Sequence, residues 1–202
     1  MYCPPAFAET RPGVMAALIR AHPLAMLITS GEAGPCANLI PFDLGADGVL
    51  RAHLARANPQ LVDLAAGGPV LVVFQGPQAY ISPDWYASKV EHGRVVPTWN
   101  FLMVQARGRA VLHEGADWLR DQCAALTDRM EAAMPAPWAV TDAPEKFVAA
   151  QMRGITGLEI HVTQMTGKWK ASQNRTADDR AGVAQALRDT HPELAGLAAG
   201  ET

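Results

Sequence analysis

The sequence predicts an α+β chain whose core is an antiparallel, barrel-like sheet with flanking helices. Three observations carry this. Leu158, Ile160 and Val162 alternate with Glu159, His161 and Thr163, the period-two signature of a half-buried strand. Apolar runs at residues 24–29 and 36–42 flank the turn Gly31-Glu32-Ala33-Gly34, which reads as a hairpin. Helical patterns fall between antiparallel pairings rather than after every strand, and no GxGxxG or GxxxxGK[ST] turn occurs, so a doubly wound parallel sheet is set aside.

Taken in order, Thr10 before Arg11-Pro12 starts a short helix with Val14, Met15 and Leu18 on one face, ended by His22-Pro23. After the hairpin, Gly45-Ala46-Asp47-Gly48 turns the chain into a strand over residues 49–54. Residues 58–66 suit a short helix, and residues 70–74 and 79–81 two further strands. The breaker-rich stretch 84–97 reads as a surface loop of functional length. Residues 98–113 predict a long strand interrupted near Gly108. Leu119, Cys123, Leu126 and Met130 share one face of a helix over residues 117–134, stopped by Pro135-Ala136-Pro137. A short helix follows through Phe147 to Met152, and Asp178-Asp179 opens a last one over residues 176–190. The expectation is one domain over residues 1–202, with a helical insertion near 116–152 and a C-terminal helix near 176–190.

The chain has 202 residues, a net charge of −3, 49% apolar and 18% charged residues, the balance of a folded globular protein. That excludes a disordered activation segment and a collagen-like chain. No chain-wide positive field draws it to DNA phosphates or an anionic bilayer. Cys3, Cys36 and Cys123 are odd in number and far apart, which suits reduced thiols in the cytoplasm. There is no CxxC pair and no HExxH among the six histidines, so no metal site is expected. No GxSxG elbow occurs either, and no catalytic residue is assigned. No signal-peptide pattern and no apolar run of ~18 residues is found, so neither export nor a membrane is expected.

Three constellations carry possible chemistry. His53-Leu54-Ala55-Arg56-Ala57-Asn58-Pro59 lies where a strand ends and a helix begins, so free N–H groups and the Arg56 fork suit a phosphate. The alternative is Asn58 as a helix cap beside exposed His53 and Arg56. Tyr80 to Lys89 and Pro97-Thr98-Trp99-Asn100-Phe101 offer aromatic walls and amides for a planar ring, or ordinary core anchors. Gly167 to Arg175 places Lys170, Ser172, Gln173, Asn174 and Arg175 close together, fit for an anion or a cofactor edge, or a solvated loop.

With Met1 to Phe7 and His22-Pro23-Leu24-Ala25, these stretches resemble, in order along nearly the whole chain, the PaiB family of FMN-binding negative transcriptional regulators. The chain departs from that family at Phe101, where Tyr is common, and at Leu39, where His often precedes the Ile-Pro pair. The resemblance implies an FMN-binding split β-barrel like that of pyridoxamine phosphate oxidases and flavin reductases, a homodimer, and FMN at the dimer interface. It implies that His53, Arg56 and Asn58 approach the phosphate, and Trp99 and Asn100 the ring. Lys170, Ser172, Gln173, Asn174 and Arg175 would enter the same pocket from the late strand. The expected function is FMN-binding regulation; the alternative is an FMN-dependent oxidoreductase, since the cofactor supplies the hard chemistry. A haem-handling relative is a third option. DNA as a partner rests on the resemblance alone, because no helix-turn-helix with a basic recognition helix is visible.

Overall fold

The computed structural model describes residues 1–201. Eight strands form one antiparallel sheet: β1 (Ala8–Glu9), β2 (Leu24–Gly31), β3 (Gly34–Pro41), β4 (Asp43–Leu44), β5 (Val49–Ala55), β6 (Pro69–Ile81), β7 (Thr98–His113) and β8 (Ile155–Lys170). Their order is β3-β2-β6-β7-β8-β5-β4, and β1 pairs with the end of β8. The helices are α1 (Pro12–Ala21), α2 (Gln60–Ala65), α3 (Ser88–His92), α4 (Ala116–Glu131), α5 (Glu145–Met152), α6 (Ala177–Leu187) and α7 (Pro192–Ala199). The α+β class with an antiparallel sheet is therefore as the sequence predicts. Among the described residues, no helix is long and apolar enough to cross a membrane.

The chain divides into two compact units. The first comprises Met1–Ala21, Gln75–Val104 and the chain from Thr166 onward; the second comprises His22–Phe74 and Gln105–Met165. In the second unit, the β2–β3 hairpin runs in register from Leu24 opposite Pro41 to Gly31 opposite Gly34. Residues of β5 pair with β8 from Val49 opposite His161 to Ala55 opposite Ile155. Leu27, Phe42, Leu50, Leu54, Phe74, Leu119, Leu158 and Ile160 are the buried core there. Phe42 and Phe74 meet edge to face at 6.0 Å. In the first unit, Ile19, Ile81, Tyr86, Leu102, Val183 and Leu194 are buried.

Several elements differ from the sequence reading, each for a local reason. The two strands expected at 70–74 and 79–81 are one strand, β6, and a Cβ on its Gly76 would lie 2.9 Å from Leu18 Cδ1 and 3.1 Å from Leu102 Cβ. Glycine is needed there for close packing against α1, not for a break. Strand β7 likewise runs unbroken through Gly108. The loop 84–97 holds a 3-10 turn, Pro83–Trp85, started by Ser82 Oγ accepting from Asp84 N at 3.2 Å. It also holds α3, which ends at Gly93 in the left-handed region (φ 67°). Helix α7 was not anticipated, although Pro192 sits in its first turn and Gly200 closes it with φ 104°.

Candidate functional site

The first unit gathers a polar and cationic cluster from the start of β7, the end of β8 and the turn after it. Ser172 holds φ 66°, the left-handed region, as no other non-glycine described residue does. Such a conformation costs of order 1–3 kcal/mol and persists only where its surroundings impose it. They do: buried Asn100 donates from Nδ2 to buried Ser172 Oγ at 3.0 Å. Gln173 fixes the same turn from the other side, accepting from Ala171 N at 2.7 Å and donating to Trp169 O at 2.6 Å.

The turn displays two cations. Lys170 Nζ donates to Thr98 Oγ1 and to Trp99 O. Burial first, then the charges of Lys168 and Arg175, hold its ammonium below the usual lysine range. The Arg175 guanidinium stacks over the Tyr86 ring, 4.6 Å from its centroid. Among the described residues, neither Lys170 nor Arg175 forms a salt bridge. The Tyr86 hydroxyl beneath Arg175 is buried and, among the described residues, has no hydrogen-bond partner; burial raises its pKa against the opposing influence of Arg175. Trp99, half exposed, meets half-exposed Tyr80 edge to face at 6.0 Å. Asn174 is exposed on the same turn. Sequence reasoning did not select Tyr86 or Thr98 for this site. Both lay in the quoted stretches, but the pairing with Arg175 and Lys170 is tertiary.

Helix α6 anchors this region. Its buried Asp179 accepts from Ser88 N at 2.9 Å and from Ser88 Oγ at 2.8 Å. Burial pushes the Asp179 carboxyl up, but the Ser88 bonds, the Arg175 charge and Thr176 outweigh it, so the net shift is downward. A carboxyl lowered on folding adds stability above its ordinary range and loses it as pH falls through the lowered value. Asp179→Asn is therefore expected to cost about 1–3 kcal/mol at neutral pH by mismatching the buried Ser88 donors. In urea titrations the gap from the parent protein narrows toward pH 3; a gap independent of pH would contradict the charged role.

His53, Arg56 and Asn58 lie in the second unit and there make other contacts. Asn58 Oδ1 accepts from Gln60 N at 2.9 Å, which is the helix-cap alternative. Gln60, buried, then donates to Leu27 O at 3.0 Å and accepts from Asn38 at 3.0 Å, tying α2 to the hairpin. Arg56 pairs with Glu114 at 3.1 Å and donates to the carbonyls of Arg153 and Ile155. Arg56, Arg120 and Arg153 share a recess with Glu114 as the carboxylate in its wall. His53 Nδ1 lies 2.8 Å from Gln122 Oε1, and its ring borders a largely apolar cavity. A phosphate dianion there would lose its hydration with no cation in the wall to replace it.

A family model described as "Putative FMN-binding domain" matches residues 1–164. The chain belongs to this FMN-binding family. The matched span holds His53, Arg56, Asn58, Trp99 and Asn100, whereas Lys170 to Arg175 lie beyond it. Relatives of the FMN-binding chain extend over both parts. A protein of Bacillus subtilis named "Protease synthase and sporulation protein PAI 2" is 29% identical over 94% of this chain and 90% of its own. An uncharacterized protein of Emericella nidulans is 33% identical over 91% of this chain and 88% of its own. Among solved structures, an FAD- and haem-binding protein of Mycobacterium smegmatis matches with a TM-score of 0.61 at 20% identity, over 81% of this chain and 73% of that one. A flavocytochrome of Azotobacter vinelandii matches with a TM-score of 0.61 at 14% identity, over 84% and 70%. These two speak for the fold, which is of the split-barrel class.

Proposed function

We propose that the chain is a cytoplasmic, homodimeric FMN-binding regulatory protein, with FMN held by Trp99, Asn100, Lys170, Ser172, Gln173, Asn174 and Arg175. The observation that carries the site is the pair Lys170 and Arg175, cations with no carboxylate partner, beside the orphaned Tyr86 hydroxyl. A phosphate monoester would supply carboxylate-like acceptors for the two cations and one for the hydroxyl. Trp99 and Tyr80 present aromatic surface suited to a flavin ring, and Asn100 and Ser172 hold the turn that aims the cations. Bound FMN would supply one- and two-electron redox chemistry; the chain's own residues bind it, orient it and shield it. The same exposed aromatic pair supports a self-association surface.

The regulatory half of the reading is supported by the near full-length likeness to the Bacillus protein, whose name concerns protease synthesis and sporulation. Purified protein mixed with FMN is expected to turn yellow and retain stoichiometric flavin through gel filtration, eluting as a dimer. Colourless protein would refute the cofactor assignment. Steady oxidation of NADH or NADPH by the yellow protein would favour the oxidoreductase reading instead. Direct DNA contact is tested by gel shifts across a salt series, with and without FMN. Absence of salt-sensitive binding to promoter fragments removes DNA from the list of partners.

A further inference from the structure

The second unit contains a cavity of about 200 Å³ that the FMN reading leaves unused. Its wall includes His53, Cys123, Leu126, Trp138, Phe147 and Met152, contributed by β5, α4, α5 and the segment between the helices. No lysine, arginine or carboxylate lines it, so it suits a neutral occupant. Cys123 adds no charge, because burial raises its thiol pKa. An apolar cavity of about 150 Å³ holds benzene, so this one has room for a one- or two-ring aromatic.

Of the polar side chains His53, Thr127 and Gln151 in its wall, His53 is the one held by a side-chain hydrogen bond among the described residues. Its Nδ1 faces Gln122 Oε1 at 2.8 Å, and Gln122 is buried on α4, so the ring is fixed in orientation. Where Nδ1 donates to this amide oxygen, Nε2 is the ring nitrogen left to accept. Among the described residues, Nε2 makes no hydrogen bond. We propose that this cavity binds a neutral aromatic molecule bearing a hydroxyl or N–H donor, accepted by His53 Nε2, at a site separate from FMN.

The test uses calorimetric titration of the full chain without FMN, with 2-naphthol and 2-methoxynaphthalene as probes that share a ring system and differ in donor capacity. 2-Naphthol is expected to bind about tenfold more tightly, the worth of one buried hydrogen bond. His53→Phe should remove that preference while retaining 2-methoxynaphthalene, which also reports that the cavity has kept its form. Thr127→Trp, which fills the cavity from α4, should abolish both probes and leave FMN titration unchanged. Equal binding of the two probes by the parent protein, no saturable binding of either, or displacement of 2-naphthol by FMN would each overturn the proposal. If Thr127→Trp does not fold, the probe comparison between the parent protein and His53→Phe decides alone.

Discussion

FMN affinity is expected to fall at least about a hundredfold when Lys170 and Arg175 are both replaced by alanine. In the proposed site each replacement removes a charge-assisted bond to phosphate, worth about 1.5–3 kcal/mol. Two such losses would give about 3–6 kcal/mol if additive; neighbouring charges are not additive, so the lower end is the safer expectation. Arg175→Lys should recover little, because stacking on Tyr86 and the planar fork are both lost. The pH dependence has a definite sign. Lys170 binds as an ammonium, and burial with two nearby cations lowers its pKa, so affinity declines with rising pH earlier than for an ordinary lysine. The alkaline decline should vanish in Lys170→Ala. Flavin fluorescence titration reads all of these. Unchanged affinity in the double variant, with a loss in Arg56→Ala, would move the phosphate to the arginine recess of the second unit.

How much of this was legible in the sequence depends on the range of each interaction. The β2–β3 hairpin, α4 and the middle of β8 were readable because their signals are periodic and local. Strand β8 extends beyond the alternating residues 158–163 at both ends, because pairing with β5 holds residues 155–157 and pairing with β1 holds Gly167 and Lys168. The residue types of the site were legible as a cluster of donors after a strand. Their employment was not. Nothing local distinguishes Arg56, whose donors meet Glu114 and two carbonyls, from Arg175, which stacks on an aromatic ring and pairs with no carboxylate. The apolar surroundings of His53 were not legible, because the residues that make them come from α4 and α5, far along the chain.

Gly108 shows the same limit and yields the second large effect. Its position suggests an interruption of β7, yet the strand continues, and a Cβ there would lie 2.4 Å from His161 O and 2.8 Å from Ile160 Cγ2. The first obstacle is backbone, which cannot rotate away as a side chain would. His161 is itself paired with Val49, so a displaced β8 disturbs β5 as well. Overpacking of this kind costs about 1–3 kcal/mol, and a backbone clash belongs at the upper end. Against a total stability of about 5–15 kcal/mol, that is a large fraction. Gly108→Ala is thus expected to lower Tm by about 6–12 °C for a chain of this length. Gly68→Ala is the matched comparison: the same substitution meets nothing within 4 Å. It should leave Tm nearly unchanged. Equal melting of the two variants would mean that the approach of β8 to Gly108 does not constrain the sheet.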